Sequence, residues 1–81
     1  MDIRLYALTT CPYCRMTKRF LDDHGIEYTL TEVDLLEGDE RQTVVDEVKA
    51  LSGGTSFPVL VADGKVVVGF NKTKIADLLG L

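Results

Sequence analysis

The stretch IRLYALTTCPYCRMTKRFLDDHG, residues 3–25, contains the features that decide the fold. Its first six residues, 3–8, are mostly apolar, which is typical of a short central strand. Two threonines interrupt this run, and Pro12 then suits the first position of a helix, where a missing N–H group leaves no hydrogen bond unmade. One helical stripe at three- and four-residue spacing contains Cys14, Thr17, Leu21 and His24, and Gly25 is a natural end for the helix. The stretch therefore predicts a strand followed directly by a helix, with both cysteines at the junction.

The rest of the chain continues this alternation of elements. A second strand is predicted over residues 26–33, followed by a loop over 35–39 and a second helix over 40–52. Asn71 is the predicted N-cap of a last helix over residues 72–79. The side chains predicted to face inward are Val44, Val45, Val48 and Leu51 in the second helix, and Ile75, Leu78 and Leu79 in the last.

Two short apolar runs, residues 59–62 and 65–68, are separated only by Asp63 and Gly64. An Asp-Gly pair in this position is typical of a hairpin with a primed two-residue turn. The predicted order is thus β-α-β-α-β-β-α, in which a parallel βαβ unit precedes an antiparallel hairpin. We expect one α/β domain over residues 1–81.

Composition and charge exclude several classes of function. The chain has 81 residues, of which 46% are hydrophobic and 27% charged, as in ordinary globular domains. Its net charge of −4 argues against a general nucleic-acid or anionic-membrane surface, because such surfaces bind through Lys and Arg. No apolar run approaches the roughly 20 residues that span a bilayer, and no targeting segment is visible. We expect a cytoplasmic monomer that binds neither nucleic acid nor membrane.

Cys11 and Cys14 form a close pair at the predicted start of the first helix. Free backbone N–H groups and the positive end of the helix dipole favour a thiolate at Cys11. Cys14 lies about one turn further along, turned toward the core, and can still reach Cys11 to close a disulfide. Arg15 and Lys18 add positive charge nearby. This asymmetry predicts a nucleophilic Cys11 and a resolving Cys14.

Two other interpretations of the pair are open. A zinc site would need two further ligands, for which the chain offers only His24 and carboxylates, so we predict no metal site. His24 precedes Gly25 and is instead predicted to cap the end of the first helix. A structural disulfide that closes so short a loop would stabilise the fold little. Redox activity is the interpretation that the pair favours.

Three segments together resemble the glutaredoxin family of the thioredoxin superfamily. Thr10-Cys11-Pro12-Tyr13-Cys14 is similar to the active site of dithiol glutaredoxins. Ser56-Phe57-Pro58 is similar to the family's loop before the third strand, and Gly69-Phe70 resembles its glycine turn before the last helix. The segments occur in the family's order, and the resemblance extends over nearly the whole chain.

This resemblance implies a thioredoxin fold, with a four-stranded mixed sheet in the order 2-1-3-4 flanked by three helices. It implies a thiol–disulfide oxidoreductase that reduces protein or mixed disulfides without a prosthetic group. It also implies that Pro58 follows a cis peptide bond and packs beside the cysteines, and that the Phe57 backbone pairs with the bound thiol. The implied substrate-binding residues are Thr10, Pro12, Tyr13, Ser56, Phe57, Pro58, Gly69 and Phe70.

The sequence departs from the family's glutathione-binding pattern. Residues 7–10 carry no cation before the first cysteine, and the turn of residues 68–72 carries no acid. Gly69-Phe70 instead resembles the redoxins that donate hydrogen to ribonucleotide reductase and are reduced by thioredoxin reductase, although those often lack the Pro-Tyr dipeptide. The expected partners are disulfide-containing clients, with ribonucleotide reductase among the candidates. Either glutathione or a thioredoxin-reductase-type enzyme is the expected electron donor.

The resemblance also leaves a carrier function open, since some glutaredoxins bridge an iron–sulfur cluster between two chains. Here only Cys11 would be an accessible ligand. Pro12 disfavours this alternative, because cluster-binding relatives commonly have Gly in that position. Such a carrier would be brown when purified without oxygen.

Overall fold

The computed structural model describes residues 2–54 and 56–81. Its strands are β1 (Ile3–Ala7), β2 (Thr29–Glu32), β3 (Val59–Ala62) and β4 (Lys65–Val68). Its helices are α1 (Pro12–Asp23), α2 (Gly38–Ser52) and α3 (Lys72–Leu79), with a short 3-10 turn at Val33–Leu35 between β2 and α2.

The strands form one mixed sheet in the order β2-β1-β3-β4. Leu5 of β1 lies opposite Leu30 of the parallel β2 and opposite Leu60 of the antiparallel β3. β3 and β4 pair antiparallel as a hairpin. This arrangement confirms the thioredoxin fold, including the strand order that the resemblance implied.

The core is divided between the two faces of the sheet. Alternate residues of β1 point to opposite faces, so Leu5 and Tyr6 belong to different clusters. The first cluster packs β1, β3 and β4 against α1 and α3: Ile3, Leu5, Ala7, Cys14, Leu21, Leu60, Ala62, Val67 and Ile75. The second packs the other face against α2 and the 3-10 turn: Tyr6, Val33, Val48 and Val59. Cys14 is thus part of the hydrophobic core.

The hairpin turn and the cap of the last helix are as predicted. Asp63 and Gly64 have φ angles of +49° and +79°, which a primed turn requires and which glycine adopts without steric strain. The side-chain oxygen of Asn71 accepts a hydrogen bond of 3.1 Å from the Lys74 N–H. Ile75 is buried, and Leu78 and Leu79 pack against the first cluster.

The predicted start of β2 at residue 26 is wrong. The Ile26 N–H donates to the Leu21 carbonyl at 2.9 Å, so this residue closes the end of α1 instead of joining the sheet. Ile26 and Tyr28 still pack against the first cluster. The strand therefore begins at Thr29 and ends at Glu32, where the 3-10 turn takes over.

Two details of α2 also differ from the prediction. The helix begins at Gly38, two residues early, with Asp39 and Glu40 in its first turn, where the helix dipole favours acidic side chains. Leu51 is 41% exposed instead of buried. It lies in the last turn, beyond Val48, which is the last residue of α2 in the second cluster.

Candidate active site

Cys11 is the N-cap of α1, and Pro12 occupies the first helical position. The Cys11 backbone is extended, and the Cys11 N–H donates to the Leu8 carbonyl at 3.3 Å. The Cys11 sulfur accepts a hydrogen bond of 3.4 Å from the Cys14 N–H, in the manner of the oxygen of an ordinary N-cap side chain. The sequence places a thiol where helix ends carry unsatisfied N–H donors, and the structure directs one of those donors at it.

This environment lowers the pKa of Cys11. Partial burial acts in the opposite direction, but hydrogen bonds from Cys14 and from the Tyr13 and Cys14 backbone outweigh it. The charge of Arg15 adds to the effect. Cys11 is half-buried and a free thiol, so its sulfur remains within reach of another molecule.

Cys14 has the opposite character. It is fully buried, and burial raises the pKa of its thiol to about 11, with a further contribution from the neighbouring Cys11. The Leu8 N–H, at 3.5 Å from the Cys14 sulfur, and the charge of Lys18 act against this rise. The pair therefore consists of one accessible thiol whose pKa is lowered and one shielded thiol whose pKa is raised, so that Cys14 stays protonated at neutral pH.

The loop before Cys11 is tied to the 3-10 turn by a contact that the sequence did not predict. The Thr9 N–H donates to both carboxylate oxygens of Asp34, at 3.0 and 3.2 Å, and the Thr9 hydroxyl also bonds to Asp34. These hydrogen bonds lower the pKa of Asp34. An Arg15 side-chain nitrogen lies 3.5 Å from the Thr9 carbonyl oxygen. Since 25 residues separate Thr9 from Asp34, no local pattern could have indicated the contact.

The segments Ser56-Phe57-Pro58 and Gly69-Phe70 are joined by a backbone hydrogen bond. The Phe57–Pro58 peptide bond is cis, as the resemblance implied. The Pro58 carbonyl accepts a hydrogen bond of 2.8 Å from the Gly69 N–H. Pro58 is buried, Phe57 is half-buried between the two core clusters, and Ser56 is exposed.

Phe70 forms part of a shallow groove of about 300 Å³ beside α1. Its ring packs edge-on against Phe20, with 6.4 Å between the ring centroids. The groove is lined by Met16, Arg19, Phe20, Asp23, Phe70 and Lys72. The other predicted contact residues, Thr10, Pro12 and Tyr13, are exposed around Cys11, with Tyr13 at 60%.

Leu8, three residues before Cys11, and Asn71, just before α3, lie in the two segments that lack the family's glutathione-binding charges. Leu8 is half-buried and packs against the second core cluster, so it offers no charge and little surface. Asn71 is exposed but engaged as the cap of α3. His24 caps α1 as predicted: its backbone N–H donates to the Phe20 carbonyl, and its ring Nδ1 lies 2.8 Å from the same oxygen.

A family model described as glutaredoxin matches residues 3–67. The chain belongs to the glutaredoxin family. A glutaredoxin-like 8.6 kDa protein in a rubredoxin operon of Clostridium pasteurianum is 35% identical to it, and the match covers 95% of this chain and 96% of that protein. Thiol–disulfide oxidoreductase chemistry follows from membership of the glutaredoxins, and the cysteine pair fits it.

Two crystal structures of glutaredoxin relatives have nearly the same fold as this glutaredoxin. The glutaredoxin from Archaeoglobus fulgidus superposes with a TM-score of 0.94 at 38% identity, covering 96% of this chain and 85% of that one. Methanoredoxin from Methanosarcina acetivorans gives 0.93 at 34% identity, with 99% and 85% covered.

Within residues 2–54 and 56–81, no helix of this glutaredoxin is long and apolar enough to cross a bilayer. The same part of the chain groups no three His, Cys, Asp or Glu side chains in an arrangement that would hold a metal ion.

Proposed function

We propose that this glutaredoxin reduces protein or mixed disulfides, with Cys11 as the nucleophile and Cys14 as the resolving thiol. The observation that carries the proposal is the opposite environment of the two thiols. Hydrogen bonds at the start of α1 favour the Cys11 thiolate, whereas burial keeps Cys14 protonated and away from outside attack. The thiolate, not the thiol, is the nucleophile in disulfide exchange.

The exchange proceeds in two displacements. The Cys11 thiolate attacks one sulfur of the client disulfide, forming a mixed disulfide, and the other client sulfur leaves as a thiolate that takes up a proton. Cys14 then loses its proton and attacks the Cys11 sulfur, which releases the second client thiol and leaves a Cys11–Cys14 disulfide. Two electrons pass to the client, and an external dithiol or reductase later returns them.

Client contacts are assigned to the surface around Cys11. One side of this surface would be formed by Thr10, Pro12 and Tyr13, because all three are exposed and lie within two residues of Cys11 in the sequence. The segments Ser56–Pro58 and Gly69–Phe70 would form the other side. The hydrogen bond from Gly69 to Pro58 supports this assignment, since it joins the two segments into one surface.

The electron donor is proposed to be a thioredoxin-reductase-type enzyme, with glutathione as the weaker donor. Leu8 and Asn71 provide neither the cation nor the acid that would pair with the charged groups of glutathione. We place the protein among redox carriers of the cytoplasm, acting as a monomer on disulfide-containing clients. The relative encoded in a rubredoxin operon supports a role beside other redox proteins.

Reduction of a protein disulfide with dithiothreitol as the electron source tests the assignment of the two cysteines. Cys11→Ser should abolish turnover above the rate with dithiothreitol alone. In a separate reaction without added thiol, reduced Cys14→Ser should accumulate a mixed disulfide between Cys11 and the client. Circular dichroism of each variant controls for loss of fold. Normal turnover by Cys11→Ser would overturn the proposal.

A further inference from the structure

The two cysteines of α1 are each followed, four residues later, by a cation. Arg15 stands one turn after Cys11, and Lys18 stands one turn after Cys14. Side chains four apart on a helix are neighbours, with about 5–6 Å between their Cβ atoms. Arg15 is exposed, whereas Lys18 is half-buried, with 23% of its side chain accessible. The cation beside the buried thiol is therefore the better shielded of the two.

Lys18 is held in place by Glu32 at the end of β2. Its ammonium nitrogen lies 3.1 Å from the Glu32 Oε1, and the Glu32 side chain is also only 23% exposed. Glu32 is the strand partner of Ala7, and the next residue, Leu8, donates its N–H to the Cys14 sulfur at 3.5 Å. The ion pair and the buried sulfur thus lie at the same corner, where β1, β2 and α1 meet.

We propose that Lys18 is a positioning residue for the resolving step, in which it favours the thiolate of Cys14, and that Glu32 fixes it there. The proposal rests on the proposed roles of Cys11 and Cys14. The resolving step requires a buried thiol to ionise, and a nearby positive charge stabilises the ionised form. Two further charged side chains lie in contact with the neighbouring loop: Arg15, which acts on Cys11, and Asp34, which is bonded to Thr9.

Removal of each partner of the ion pair has a different expected result. Lys18→Met removes the cation, so a smaller fraction of Cys14 is ionised at neutral pH. Glu32→Gln removes only the opposing negative charge and keeps an amide oxygen that can bind the Lys18 ammonium. A pair that merely links α1 to β2 predicts that any change in the rate of the resolving step follows the loss of stability in each variant. An electrostatic role for Lys18 predicts that Lys18→Met slows this step and that Glu32→Gln does not.

The experiment is stopped-flow reaction of the reduced protein with the aromatic disulfide 5,5′-dithiobis(2-nitrobenzoate). Attack by Cys11 breaks the reagent's S–S bond, forms a mixed disulfide and releases one coloured thiolate, at a rate that depends on reagent concentration. Attack by Cys14 on the Cys11 sulfur then releases the second thiolate, at a rate independent of reagent concentration. The first phase tests the role of Cys11, and the second tests Lys18, so failure of either proposal is recognised separately.

Lys18→Met should slow the second phase by roughly two- to fivefold, the range given by a partly screened charge contact. Lys18→Arg should restore it, and Glu32→Gln should leave it unchanged or faster. The first phase should be the same in all variants. Equal slowing by Lys18→Met and Glu32→Gln, or an unchanged second phase in Lys18→Met, would overturn the proposal.

Discussion

At the scale of single residues, the site consists of two cysteines that lie three positions apart and have different environments. Cys11 caps α1 and receives an N–H at its sulfur, whereas Cys14 is one turn further and enters the core. The sequence predicted this difference, because a pair at a strand–helix junction must have one member at the helix end and one inside it. It did not predict Asp34, whose contact with Thr9 depends on how β2 and the 3-10 turn return to β1.

Asp34→Asn should lower the free energy of unfolding at pH 7. Hydrogen bonds from Thr9 lower the pKa of Asp34 below the ordinary 3.8, so its stabilising contribution is present above that value. The contribution is lost as the pH falls through the lowered pKa. The difference between wild type and variant should therefore be largest near neutrality and should shrink in acid.

Urea unfolding at pH 7 and at stepwise lower pH values measures this dependence. Asp77→Asn, which removes an exposed carboxylate of α3, is the matched control and should change little. A stability difference for Asp34→Asn that stays constant down to acid pH would contradict the assigned contact.

At the scale of helices and strands, the sequence predicted those elements whose boundaries are set by local chemistry. Pro12 begins α1, the Asp63-Gly64 turn sets the register of the hairpin, and the Asn71 cap begins α3. It misjudged boundaries that depend on distant packing. Ile26 is a residue type that favours strands, but its N–H bonds to the Leu21 carbonyl at the end of α1. Leu51 has the helical spacing of a core residue, but it lies in the last turn of α2 and is 41% exposed.

Leu21→Ala should destabilise the protein by about 2–5 kcal/mol, the usual result of removing a fully buried leucine side chain. Leu21 is completely buried in the first cluster, which joins α1 and therefore the cysteines to the sheet. Leu51→Ala is the matched control, since that leucine is 41% exposed and should lose less than half as much. Urea unfolding measures both, and equal losses would contradict the described packing of α1.

At the scale of the whole molecule, the net charge of −4 and the lack of a cation at Leu8 and of an acid at Asn71 predict weak recognition of glutathione. An anionic tripeptide gains no long-range attraction from an acidic protein. Each missing charge-assisted contact would have contributed about 1.5–3 kcal/mol, and about 1.4 kcal/mol corresponds to a tenfold change in affinity. This part of the function depends on particular surface residues, so the family resemblance alone does not determine it.

Glutathione should therefore recycle the oxidised protein more slowly than a thioredoxin-reductase-type enzyme does, in steady-state assays with each system. Leu8→Lys combined with Asn71→Asp should speed the glutathione route, because it adds both missing charges while Asp still caps α3. Leu8→Met with Asn71→Asp controls for the repacking of Leu8, which lies against the second cluster. Rapid turnover of the unaltered protein with glutathione would show that the missing charges are not needed.

The measurement that tests the central claim most directly is limited alkylation of the reduced, folded protein with iodoacetamide at pH 7. Both cysteines fall in the tryptic peptide of residues 5–15, so fragment-ion spectra assign the label to one or the other. The opposite pKa directions of the two thiols predict label on Cys11 and almost none on Cys14, with both labelled once the protein is unfolded. Equal labelling of the two cysteines in the folded protein would contradict the account.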